Sequence, residues 1–296
     1  MGTRSVIVFI VFVAAGLAAP VVWAQGTDDV YGEFVYPLVT RRPFLDREFE
    51  LRVDHEKGPA GRVTEVRGSL EIPVLPRWRV GLEIPLVFTD PRDQRSMGGV
   101  GDLTLENKFL LHKFEQRPGQ VAAGFEIRLP TGSERRGLGG EAAIEPFLTA
   151  GIAFGSFDFM AEIAYDFNVN ANVPGPNRQE LKAGLATGYR LSRWFLPLLE
   201  LSTRTVTRGA EDDPLFQATQ VSLTPGFNVR PWPETTFAVG IELPVTHVRN
   251  STMPCALALS GTSNVLRRIG RTRPPPVRSA AARATARPRS RRAHRR

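Results

Sequence analysis

Between positions 46 and 246 hydrophobic and polar residues alternate one by one, in run after run, with Gly, Pro, Asn and Asp clustered between the runs. Alternation of this kind places two chemistries on the two faces of a strand. The clearest run puts Phe157, Phe159, Ala161, Ile163, Tyr165 and Phe167 on one face, and Asp158, Met160, Glu162, Asp166 and Asn168 on the other. Strands are predicted near 46–54, 62–74, 79–88, 101–112, 121–129, 143–154, 157–168, 179–191, 195–204, 217–230 and 235–246. Most are roughly 9 to 13 residues long, which is the reach of a tilted strand crossing a bilayer, whereas globular strands average about five or six. The phrase Gly-x-Glu-Ile/Leu-Pro at Gly81 to Pro85 and again at Gly240 to Pro244 reads as a repeated strand pattern.

The N-terminus predicts export. Arg4 gives a positive start, Ser5 to Leu17 an apolar core, and Val22-Trp23-Ala24 the small residues of a cleavage site after Ala24. No later stretch is comparably long and apolar, so a mature chain that enters a membrane must do so as a closed barrel. The single cysteine, Cys255, allows no disulfide framework.

Connection lengths and tryptophans choose between lipid and water as the solvent of these strands. From the first strand onward, the connections read long (55–61), short (75–78), long (89–100), intermediate (113–120), long (130–142), short (155–156), long (169–178), short (192–194), long (205–216) and short (231–234). Outer-membrane barrels alternate long outer loops with short periplasmic turns in this way. Trp78, Trp194 and Trp232 all fall in or beside short connections, as an aromatic girdle at the periplasmic interface requires.

The expected fold is all-β, a transmembrane antiparallel up-and-down barrel. Eleven strands are readable, and an even number demands a twelfth. Alternation stops after Val248, and residues 249–296 contain thirteen arginines with no Asp, Glu or Lys. Taking those thirteen from the chain's +8 leaves −5 for the remainder. Three readings of the tail compete: a basic arm binding lipopolysaccharide or nucleic acid, a disordered extension, and translation of a shifted frame that has lost the last strand. The shifted frame is favoured, because it explains the missing strand and the change of composition together, and export opposes nucleic-acid binding. The predicted organisation is a signal peptide over 1–24, an N-terminal periplasmic segment over 25–45, a barrel over 46–248 and a basic tail over 249–296.

Gly98-Gly99-Val100-Gly101-Asp102-Leu103-Thr104-Leu105, followed by a strand to Leu111, together with Leu129-Pro130-Thr131-Gly132, resembles the outer-membrane transporter-like family named for the meta-pathway of phenol degradation. The likeness spans roughly residues 60 to 248. It implies a barrel passing small hydrophobic or aromatic compounds, and the chain departs from the family where the last strand belongs.

Enzyme chemistry is not expected. His55, His112 and His247 are the histidines before the tail, and none sits in a catalytic or zinc-binding pattern. Glu211-Asp212-Asp213 reads as a solvated loop, and no cofactor or metal is predicted. The inward-facing set predicted for the barrel includes Glu83, Glu106, Lys108, Glu126, Arg128, Asp158, Glu162, Asp166, Lys182, Arg190 and Glu242. Such a mixed-sign lattice either plugs a lumen or lines a narrow polar path. The expected function is a passive channel for small molecules, with a structural or adhesive barrel and an outer-membrane lipid enzyme as alternatives. Expected partners are outer-membrane lipid, a small permeant and the barrel-assembly machinery, with no nucleic acid.

Overall fold

In the computed structural model, residues 34–58, 61–92, 95–169, 178–209, 216, 218–232 and 235–246 are described in full, and 253–261 by their backbone. The signal peptide, the acidic loop 211–213 and the tail beyond residue 261 lie outside the described residues.

The strands in chain order are β1 (Glu48–Gly58), β2 (Gly61–Leu75), β3 (Trp78–Pro91), the short β4 (Met97–Val100), β5 (Leu103–Lys113), β6 (Gly119–Leu129), β7 (Ala143–Phe154), β8 (Phe157–Asn168), β9 (Gln179–Tyr189), β10 (Phe195–Arg208), β11 (Thr219–Trp232), β12 (Thr235–Ile241), the two-residue β13 (Leu243–Pro244) and β14 (Met253–Gly261). Each long strand pairs antiparallel with its neighbour in sequence, and β4 folds back on β3. Eleven long strands match the alternating runs. The ring closes through β14, which pairs with β1 from Phe49↔Gly261 to Lys57↔Met253 and with β12 from Thr235↔Gly261 to Ile241↔Cys255.

That closure corrects the expectation of a lost last strand, and moves the barrel's end from 248 to 261. Met253 to Gly261 contains no charged residue, so it lacks the contrast by which the other strands are read. The first connection is corrected as well. Residues 55–61 read as a long loop because His55-Glu56-Lys57-Gly58 is polar, yet β1 continues to Gly58 and pairs directly with Gly61. The run expected over 235–246 is broken at Glu242, between β12 and β13.

The distribution of side chains is inverted relative to a water-soluble protein. Phe159, Ile163 and Leu185 are 44%, 50% and 56% exposed, whereas Arg79, Lys108 and Glu200 are 2%, 1% and 0% exposed. A surface of large apolar side chains around a charged interior is stable only with hydrocarbon outside. The turns β2–β3, β5–β6, β7–β8, β9–β10 and β11–β12 share one end of the barrel, with Trp78, Trp194 and Trp232 beside three of them. Trp78 stacks on Phe109 of the next strand, with ring centres 6.2 Å apart. Gly155, at φ +60° in the two-residue β7–β8 turn, takes the left-handed conformation that a side chain would resist. The longer connections lie at the opposite end.

Candidate functional site

Residues 34–47 are inside the barrel, and for its described part, 34–45, this corrects the reading of 25–45 as a periplasmic segment; residues 25–33 lie outside the described residues. Phe34, Val35, Tyr36, Leu38 and Phe44 are each buried. Phe34, Val35 and Phe44 pack with Ala153, Met160, Ala186, Leu196 and Leu198 of the wall, and the Phe34 and Phe44 rings are 4.5 Å apart. Burial of such side chains contributes about 1.5–3 kcal/mol each. Small wall residues make the space: a Cβ on Gly188 would stand 2.6 Å from Val35, and one on Gly240 would collide with Leu38.

This segment has no ladder of its own, so wall side chains satisfy its backbone. Asp158 accepts from the Val35 N–H at 2.9 Å. Asn228 accepts from the Tyr36 N–H at 2.5 Å and donates to the Tyr36 carbonyl at 2.9 Å, as a strand neighbour does. The Glu200 carboxylate accepts from three successive amides, Leu38 at 2.5 Å, Val39 at 3.0 Å and Thr40 at 2.7 Å. Carbonyls are met in turn by Arg230 at Phe34, Arg52 at Leu38, Thr149 at Arg41, Lys108 at Arg42 and Gln120 at Pro43. The segment enters beside the turn-end residues Asp158 and Asn228. It rises to its apex at Arg41, and returns to the start of β1 at Glu48.

Two arginines at the apex fix it. Arg41 donates to Glu126 at 2.7 Å and to Glu145 at 2.9 Å, with Glu106 and Glu162 at 3.7 and 3.9 Å. Burial alone lowers an arginine's pKa, but these four carboxylates outweigh it and hold Arg41 above its usual range. Arg42 pairs with Glu48 at 2.8 Å and lies over the Tyr36 ring. Burial, reinforced by Glu48 and Glu50, pushes the Tyr36 phenol well up, so it stays protonated and donates to Glu50 at 3.0 Å.

Of the eleven inward-facing residues expected from the pattern, Glu106, Glu126 and Glu162 meet at Arg41, and Asp158 holds Val35. Lys108 reaches both Glu106 and the Arg42 carbonyl. Arg128 and Lys182 share Asp166 at 3.0 and 3.4 Å. Arg190 approaches Asp158 at 3.6 Å, Glu83 lies 3.9 Å from Arg67, and Glu242 is buried at the β12–β13 break. Sequence reasoning missed Arg41, Arg42, Arg79, Gln120, Glu145 and Asn228. Two arginines in an otherwise apolar stretch, Phe34 to Phe44, were the available signal.

The glycine-rich phrases 98–105 and 129–132 meet at the loop end. Asp102 accepts from the amides of Gly132 at 2.8 Å, Gly140 at 2.8 Å and Glu141 at 2.9 Å, and so pins the β6–β7 loop. Thr131 joins them, accepting from Leu103 N–H at 2.9 Å. Charge-assisted bonds of this kind are worth about 1.5–3 kcal/mol each. Asp102→Ala is therefore expected to leave the folded barrel intact but to make residues 132–141 cleavable by protease on whole cells; equal resistance in both proteins would refute the anchoring role.

No protein-family profile matches the chain, and no curated protein matches it in sequence. Solved structures do. An outer-membrane channel from Pseudomonas putida F1 is 12% identical with a TM-score of 0.59, over 77% of this chain and 99% of that one. The NanC porin is 10% identical with a TM-score of 0.52, over 72% and 99%. The KdgM porin in complex with disordered oligogalacturonate is 9% identical with a TM-score of 0.50, over 73% and 99%. At these identities the likeness establishes the fold, and that fold is the outer-membrane β-barrel.

Proposed function

We propose that this chain is a passive outer-membrane channel for small hydrophilic molecules, closed in the observed state by residues 34–47. One observation carries the reading: the lumen is charged on every long strand from β1 to β10, and its occupant belongs to no strand of the wall. Some wall side chains meet each other, as Arg79 meets Glu71 and Glu106, but Glu126, Glu162, Glu200 and Asn228 turn to a separate segment, through hydrogen bonds and ion pairs that water and permeant can replace.

The turn end faces the periplasm in this reading. The three tryptophans lie there, and so does the start of β1. The segment over 1–24 is removed after Ala24, and the barrel is inserted by the assembly machinery. The family resemblance implies hydrophobic or aromatic cargo, but a lumen with Arg79, Lys108, Glu145 and Glu200 buried in its wall suits polar solutes better. A polyanion such as the oligogalacturonate of the KdgM complex is also a poor match to so many carboxylates.

The test compares the full chain with a variant lacking residues 34–43, each refolded, checked for a mobility shift on boiling, and inserted in planar bilayers. The full chain is expected to give small, infrequent openings, and the deletion a severalfold larger unitary conductance. A deletion variant that folds yet conducts no better than the full chain sinks the reading.

A further inference from the structure

The Arg41 guanidinium lies in a box built by the barrel wall. Glu106 comes from β5, Glu126 from β6, Glu145 and Phe147 from β7, and Glu162 from β8. The Arg41 Cζ is 4.0 Å from the centre of the Phe147 ring, with the carboxylates around its edge at 2.7 to 3.9 Å. A planar cation on an aromatic face, with carboxylates at its rim, is how proteins hold guanidinium and organic ammonium groups.

The box is not neutral without its occupant. Among the described residues, Glu126 and Glu162 form ion pairs with Arg41 alone. Glu145 also holds Lys182 at 2.6 Å, and Glu106 also holds Arg79 at 2.7 Å and Lys108 at 3.4 Å. Withdrawing residues 34–47 leaves at least two uncompensated carboxylates beside an aromatic ring. Their desolvation then favours any small cation that can take the vacated place.

We propose that this box is a binding site for small organic cations bearing a guanidinium or primary ammonium group, and that Arg41 is its tethered occupant. Exchange of Arg41 for a free cation then couples entry of the cation to release of the segment, and makes the open path cation-selective. The selectivity rests on the channel reading; the site does not.

Ethylguanidinium and ethylurea make the test, because they share a planar shape and differ in charge. Arg41→Ala in the full chain, refolded in detergent, is expected to bind ethylguanidinium and to gain thermal stability from it, with no response to ethylurea. The wild type is expected to respond far less, because Arg41 already holds the box. Adding Glu126→Gln and Glu162→Gln to Arg41→Ala is expected to weaken binding at least about tenfold. Should Arg41→Ala not fold unaided, the same pair is added during refolding, and recovery with ethylguanidinium alone is the expected result. Equal responses to the two compounds, or binding indifferent to the two glutamate changes, overturn the site.

Bilayer recordings under a potassium chloride gradient complete it. Arg41→Ala is expected to reverse on the cation side of zero and to lose current when ethylguanidinium is added. If the cation binds but neither wild type nor the 34–43 deletion conducts, the site stands and the channel falls. If the deletion conducts and the cation does not bind, the channel stands and the site falls.

Discussion

A chain ending at Thr252 is expected to give no barrel at all, whereas one ending at Thr262 is expected to fold as the full chain does. β14 is the only strand joining β1 to β12 among the described residues, through register pairs along nine residues of β1 and seven of β12. Without it both neighbours present an unpaired edge to hydrocarbon, where each unsatisfied backbone group costs several kcal/mol. The loss is all-or-none because the ring cannot close by sliding. β12 and β1 are each antiparallel to β14 and so run in the same direction, and they cannot take up with each other the antiparallel pairing that β14 makes with both. Mobility on unboiled gels and protease resistance of membranes measure it. A chain stopped at 252 that still shifts on boiling would remove β14 from the wall and return the barrel to eleven strands.

The same strand shows where sequence reading stops. Alternation is visible only where lumen and lipid demand different chemistries, as at Asp158 against Phe159 or Glu200 against Leu201. Beside β14 the register partners on β12 are Ala238 and Gly240, a smooth stretch of lumen against which Leu38 rests. A strand in such a place has no need of charge, and its sequence loses the second period. The arginine-rich composition that begins further on then hid the change of element.

Residues 34–47 were illegible for a different reason. A strand advertises itself because its backbone is satisfied by a neighbour and its side chains by two solvents. This segment is satisfied the other way round, by wall side chains bonding to its backbone, among them Asp158, Glu200, Asn228, Gln120 and Lys108, which come from strands far apart in sequence. Period 2 told that Asp158 and Lys108 face inward, but it passed over Gln120, Asn228, Arg79 and Glu145. It carries no information about what they face. The choice between a plugged lumen and an open polar path therefore needed the register of the whole ring, and the answer is a lumen occupied by fourteen residues that precede the first strand.

Arg79 is where the wall's own stability is most exposed to mutation. It is 2% exposed, donates to Glu106 Oε1 at 2.7 Å and pairs with Glu71 on the adjoining strand, while Lys108 reaches the same Glu106 oxygen at 3.4 Å. Removing a buried guanidinium leaves its carboxylates without compensation, and losses of about 3–5 kcal/mol are usual in that case. Arg79→Met is therefore expected to lower the urea midpoint of the refolded barrel steeply. Arg178→Ala, at a pair 44% exposed on the arginine side, is expected to change stability by less than about 1 kcal/mol. Arg79→Lys keeps the charge but cannot fork to two carboxylates, and should fall between. The decisive variant is Arg79→Met combined with Glu71→Gln. If the loss comes from an unpaired charge, the second change restores much of what the first removes. If it comes from the packing of the arginine stem, the two losses add, and the ion lattice is then a consequence of the barrel's shape rather than a cause of its stability.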